Sequence, residues 1–190
     1  MISKQYISKL KTSIEAADTK RGKIVRGTHE LVQDAKNAIF KIHRGELKEA
    51  ADLLVSVEKR LAKEVNDAVK QKLREQGSLK AAVEEFLEAN YLLRVIEGKT
   101  LPPKLAFAPE PDEQLSALSD LTGELVRAAT LEVTKQRYDR VKEYRDATEE
   151  LFGVLISMNL RGTLRQKRDD ARRNLRRLEE ILYDVSLRNR

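Results

Sequence analysis

Apolar residues recur along most of the chain at intervals of three and four, the spacing that lines one face of an α-helix. Leu79, Val83, Phe86 and Leu93 follow it in one stretch, and Leu115, Leu118, Leu121 and Leu125 in another. Nothing alternates with a period of two for long, so strands are not expected. All four prolines, Pro102, Pro103, Pro109 and Pro111, crowd into one segment. Proline lacks the amide proton and clashes with the preceding turn, so this segment is the strongest break. Weaker punctuation comes from Gly45, Gly77-Ser78 and Gly162-Thr163, with Ser78 and Thr163 placed as N-caps. The pattern predicts an all-α fold of seven helices near residues 3–20, 24–43, 46–74, 78–97, 112–134, 137–158 and 163–187. Gly22 and Gly27 only weaken a helix, so the first two are compatible with one continuous helix.

The stretch 78–97 differs from the others. Leu79, Phe86 and Leu93 occupy one side, while Ala81, Leu92 and Val95 occupy the other, so it is apolar almost all round. Such a helix calls for more neighbours than one small bundle supplies, and the expectation is self-association.

Composition narrows the class. A chain of 190 residues and 21.7 kDa fits a single domain spanning 1–190. Apolar residues make up 41% and charged residues 36%, and a charge content well above the usual quarter suits long solvated helices. With no cysteine, a disulfide scaffold, cysteine-ligated metal and a cysteine nucleophile are all excluded. No run approaches the roughly 20 apolar residues of a membrane helix, and Met1-Ile2-Ser3-Lys4-Gln5 lacks a signal-peptide core, so a cytoplasmic protein is expected.

The net charge of +6 is unevenly placed. Arg161, Arg165, Lys167, Arg168, Arg172, Arg173, Arg176 and Arg177 stand together against only Asp169 and Asp170, which leaves the remainder of the chain neutral. A concentrated arginine patch is a footprint for a polyanion such as nucleic acid. A solvated helix face of scattered surface ion pairs is the alternative.

Two pairs of acids suggest chemistry. Glu85 and Glu88 are three apart, Asp120 and Glu124 four apart, so each pair shares a helix face, and like charges at that spacing repel unless something compensates them. If the helices flanking the proline segment run antiparallel, Glu88 and Asp120 both lie about 12–14 Å from the connecting loop. The four acids can then meet. Carboxylates without a neighbouring histidine suit a hard cation, Mg²⁺ or Mn²⁺, as a phosphodiester nuclease uses it. Chance pairing among 31 acids is the competing explanation. A di-iron bundle is set aside because Arg26 and Phe40, rather than glutamates, stand three residues before His29 and His43. Both histidines read as polar-surface or RNA-contacting residues. No glycine loop that could cradle phosphate is present.

The run Asp120-Leu121-Thr122-Gly123-Glu124-Leu125-Val126-Arg127 resembles the translin family, and within it the branch of translin-associated factor X. The resemblance extends to Glu85-Phe86-Leu87-Glu88-Ala89, to Ile39-Phe40-Lys41-Ile42-His43-Arg44, and to the segment from Leu178 to Arg188. It implies a single-domain seven-helix translin-type bundle that assembles into a hollow octamer and binds single-stranded RNA or DNA. It also implies a Mg²⁺-dependent endoribonuclease site at Glu85, Glu88, Asp120 and Glu124, a set that the pure translin branch lacks in full. Lys36 matches a basic position of the factor X branch and is a candidate for substrate contact. With Lys36, the expected nucleic-acid contacts are His43, Arg44, Arg165, Arg168, Arg172 and Arg173. The chain is shorter than the factor X branch and its end also resembles translin, so a homo-octamer that combines both roles is expected.

Overall fold

The computed structural model describes residues 2–188, and every regular element among them is a helix. There are six: α1 (Lys4–Arg44), α2 (Leu47–Lys70), α3 (Gly77–Ile96), α4 (Pro111–Thr134), α5 (Tyr138–Ile156) and α6 (Gly162–Arg188). The expected seven become six because the first two are continuous. Gly22 and Gly27 sit inside α1, and Gly27 has a use there: a Cβ at that position would come within 3.1 Å of Glu64 Oε1. The glycine leaves room for the Glu64 carboxylate of α2 against α1, at a propensity cost of about 1 kcal/mol that the long helix tolerates. Gly45 ends α1 in the left-handed region at φ 82°, where its amide and that of Glu46 close on the carbonyls of Ile42 and Lys41.

Ser78 is not a cap. Helix α3 starts a residue earlier, with Gln76 at the N-cap, and the Ser78 hydroxyl is buried without a partner. Thr163 likewise lies inside α6, which begins at Gly162. The proline segment ends where Pro111 opens α4 behind Glu110, and Glu113 reaches back to the Glu110 amide at 2.8 Å. Glu113 is fully buried, and Arg74 compensates it with two bonds of 2.6 and 2.5 Å, tying the α2–α3 connection to the start of α4.

Helices α1, α2 and α3 pack together, α4, α5 and α6 pack together, and α3 against α4 joins the halves. Helix α3 sits at that seam, with Leu79, Val83, Phe86, Leu87 and Leu92 removed from solvent. The apolar surface of α3, expected to need a neighbouring subunit, is thus covered within the chain by α1, α2 and α4. Bare apolar side chains lie elsewhere, at the start of α1 and the end of α5.

Candidate active site

Because α3 and α4 pack directly against each other across the proline loop, their inward acids converge. Glu88 on α3 is mostly enclosed. Burial first, then the charges of Asp120, Glu85 and Glu124, push its carboxyl up to about 8, while Lys167 pulls the other way. Asp120 and Glu124, one helix turn apart on α4, are therefore close enough to act on an acid of α3, as the matched depths require.

Each of the three outer acids has a basic partner from another helix. Lys36 Nζ of α1 stands 3.3 Å from Glu85 Oε1. His43 Nε2, also of α1, lies 2.5 Å from Glu124 Oε2, with Arg127 at 3.7 Å on the outer side. Lys167 Nζ of α6 donates to Asp120 Oδ2 at 2.5 Å and to Glu84 Oε2 at 3.2 Å, and it also touches the Ser116 hydroxyl, which itself donates to Glu84 at 2.5 Å. Glu88 is the member without such a partner among the described residues, so nothing offsets its burial except the charge of Lys167.

Two sequence readings change here. His43 is not a surface residue: its side chain is 4% exposed and faces Glu124. The carboxylates accordingly do have a histidine neighbour. Residues 39–44 run into the site along α1, so Ile39 and Ile42 face the core while His43 is directed at α4. Lys167, Glu84 and Ser116 were missed. Lys167 is recognisable in retrospect by phase: it shares the face of Ala171, Asn174 and Leu178, four, seven and eleven residues on, which is the side of α6 that packs inward.

The donors suit a divalent cation in chemistry, being carboxylate oxygens with an excess of negative charge gathered around Glu88. Among the described residues, however, no three His, Asp or Glu side chains are already drawn together as a ligand set. The ammonium groups of Lys36 and Lys167 engage two of the four acids instead. Glu85, Glu88, Asp120 and Glu124 would hold an ion by turning toward it and releasing those contacts, and the ion would supply charge neutralisation at a phosphate and a more acidic bound water.

The arginines of α6 divide by face. Arg161, Arg165, Arg168, Arg172 and Arg176 follow one another at four, three, four and four, a stripe along the helix. Arg161, Arg165, Arg172 and Arg176 are exposed and form no ion pair among the described residues, whereas Arg168 is half-buried against Asp169 at 2.9 Å. Arg173 lies off the stripe and pairs with Asp170. Arg44 is exposed, bonded to Glu46 at 2.7 Å and set over the Phe40 ring. A cavity of about 500 Å³ is lined by Arg161 together with Lys167, Ser116 and Glu84, so the first arginine of the stripe faces the group that holds Asp120.

The fold is that of several solved structures. The crystal structure of apo-NeC3PO superposes with a TM-score of 0.84 at 20% identity, over 96% of this chain and 97% of that one. The AfC3PO–duplex RNA complex gives a TM-score of 0.84 at 18% identity with the same coverages. The crystal structure of AfC3PO gives 0.81 at 19%, again over 96% and 97%. At these identities the likeness establishes a shared fold. No curated protein sequence matches the chain significantly. The Translin family model matches residues 19–189, a span that takes in all four acids, their three basic partners and the arginine stripe, and the chain therefore belongs to the Translin family.

Proposed function

We propose that this chain is a metal-dependent endoribonuclease of the factor X type, cutting single-stranded RNA internally with Mg²⁺, or Mn²⁺, held among Glu85, Glu88, Asp120 and Glu124. The observation that carries the reading is Glu88, an acid buried at the seam of α3 and α4 and crowded by three further carboxylates. A protein gains nothing in stability from such crowding, and perturbed acids gathered in one place are a signature of a functional site. The arginine stripe supplies a track for the phosphate backbone, with single-stranded DNA as a possible second ligand. A similar fold is found in the complex of AfC3PO with duplex RNA, which supports a nucleic-acid ligand here as well. We place the activity in the cytoplasm, within a hollow homo-oligomer, as the factor X resemblance implies. No helix among the described residues is long and apolar enough to cross a membrane.

Within the site the chain's own groups have separable tasks. His43 fixes Glu124, Lys167 fixes Asp120 against Ser116 and Glu84, and Lys36, half exposed at the rim, is positioned to move from Glu85 to an incoming phosphate.

The second reading is a non-catalytic binder of single-stranded RNA or DNA, and the specific observation in its favour is that Lys36 and Lys167 already neutralise two of the four acids. Labelled single-stranded RNA incubated with the protein, with Mg²⁺ and with chelator, separates the two. Internal cuts that require Mg²⁺ support the nuclease, and RNA retained intact under both conditions leaves the binder.

A further inference from the structure

The first half of α1 leaves a continuous apolar stripe bare. From Lys4 to Lys23 the helix runs about 30 Å beyond Ile24, its first core residue. Ile7, Leu10 and Ile14 recur there at three and four, with Tyr6 beside them, and all four are exposed. Lys4 and Lys11 border this stripe on one side, Lys9 and Lys20 on the other. A lone helix of this length is marginal in water, and an amphipathic face normally acquires its stability from what covers it.

What covers it is constrained by charge. The segment Lys4–Lys23 carries six cationic and two anionic side chains, so two such arms laid together would repel. The other bare apolar region has the opposite sign. Between the α3–α4 connection and α5 lies a cavity of about 610 Å³ lined by Val95, Leu101, Leu118, Leu151 and Val154, and by Glu143, Glu150 and Lys99, with Glu143 also paired to Arg140. Helix α5 bears five acids against three bases, and exposed Ile156 and Met158 follow Val154 at its end. None of the four acids of the candidate active site lines it.

We propose that the amphipathic arm of α1 in one copy of this chain docks in the α5 groove of a second copy, its Tyr6, Ile7, Leu10 and Ile14 entering the cavity and its flanking lysines meeting Glu143 and Glu150. The inference rests on the self-association included in the function proposed above, and it names the two surfaces that make the contact. Arm and groove are different patches, so the contact is heterologous: each copy gives an arm to one neighbour and a groove to another, and the assembly grows until the ring closes.

The test uses particle mass and crosslinking, with cleavage playing no part. Light scattering on the parent is compared with Ile7→Asp/Leu10→Asp/Ile14→Asp, an arm variant altered only at exposed positions, and with Glu143→Lys/Glu150→Lys. Both variants should keep the parent's circular dichroism while the number of subunits per particle falls by half or more. Mixing them should restore two-chain particles, because one retains an intact groove and the other an intact arm. The chain has no native cysteine, so a Leu10→Cys chain mixed with a tagged Val154→Cys chain should oxidise to the mixed disulfide in preference to either homodimer. Arm-to-arm disulfides as the main product, or an arm variant with the parent's mass, would overturn the docking while leaving self-association standing. A monomeric parent would overturn both, and the nuclease reading would be untouched by any of these results.

Discussion

Lys167 Nζ donates to Asp120 Oδ2 at 2.5 Å, so an ammonium group from α6 stands against one corner of the acid cluster. Burial alone would lower the Lys167 pKa, but the bond to Asp120 and the charges of Asp120 and Glu84 outweigh it and the net shift is upward. A lysine whose folded pKa is raised contributes stability below its unfolded value near 10.4, and that contribution is lost only as pH rises through the higher folded value, so it is fully in place at neutral pH. The same ammonium occupies the space a divalent ion would claim.

Lys167→Met should therefore do two things. Without metal the variant should melt several degrees lower, since an acid left without its partner costs about 1–3 kcal/mol. Adding millimolar Mg²⁺ should then raise its melting temperature by more than it raises the parent's, because the ion no longer competes with an ammonium. Equal Mg²⁺ shifts in the two proteins, measured by differential scanning fluorimetry in chelator and in metal, would mean that the ammonium and the ion do not share a place.

Glu88 sets a pH dependence. Its carboxyl is pushed up to about 8, first by burial and then by Asp120, Glu85 and Glu124. A group whose folded pKa exceeds its unfolded value of about 4.3 favours the folded state at low pH, and loses that advantage as pH rises from the unfolded toward the folded value. The metal-free protein should accordingly lose stability between pH 5 and 8 through this residue, and Glu88→Gln, which cannot ionise, should melt along a flatter curve. Binding of Mn²⁺ should strengthen over the same interval as the proton leaves. An unchanged slope in Glu88→Gln, followed by circular dichroism in chelator, would show that the crowding at α3 is not felt by Glu88.

The arginine stripe makes residue-specific predictions about RNA affinity. Arg172→Glu and Arg165→Glu change exposed, unpaired members, whereas Arg173→Glu changes a residue that Asp170 already neutralises. The first two should weaken single-stranded RNA binding more than the third, and should flatten its dependence on salt, because fewer counterions are released. Titrations at low and physiological salt decide it. Equal effects from all three substitutions would move the binding surface off this stripe.

Periodicity was enough to read an all-α chain and the helices on either side of the proline break, though not their number, since rise per residue and the break are local properties of the chain. The limits were tertiary. Local propensity left Gly22 and Gly27 compatible with either a break or a continuous α1, and it does not encode the approach of Glu64 from another helix to Gly27. His43 carried no ligand spacing, yet it ends up facing Glu124, 81 residues away. Lys167 was counted with its arginine neighbours because composition does not distinguish the inward from the outward side of α6. The surplus apolar surface of α3 was legible, but its cover is the chain's own α1, α2 and α4, while the surface left for a partner lies on an arm whose stripe is shorter and more interrupted by lysine.

Cleavage itself is tested at Glu85 and Asp120, and the two are not equivalent. Glu85→Gln removes one anionic oxygen while keeping size and shape, and its partner Lys36 is about half exposed and can turn to solvent. Asp120→Asn instead leaves Lys167 short of a counter-charge at a partly buried place, so some loss of stability should accompany it. Loss of an electrostatic group that acts in the transition state commonly costs a few kcal/mol, so both variants should cut RNA more slowly by roughly two to three orders of magnitude. RNA affinity should hold or tighten, because each variant removes negative charge near the phosphates. Glu85→Gln should also melt no lower than the parent, since it relieves the repulsion on Glu88. The combination of lost cleavage, kept affinity and kept melting temperature in Glu85→Gln cannot come from a damaged fold. If Glu85→Gln and Asp120→Asn both cut at the parent's rate, the four acids hold no catalytic metal, and cleavage belongs to other residues of the chain.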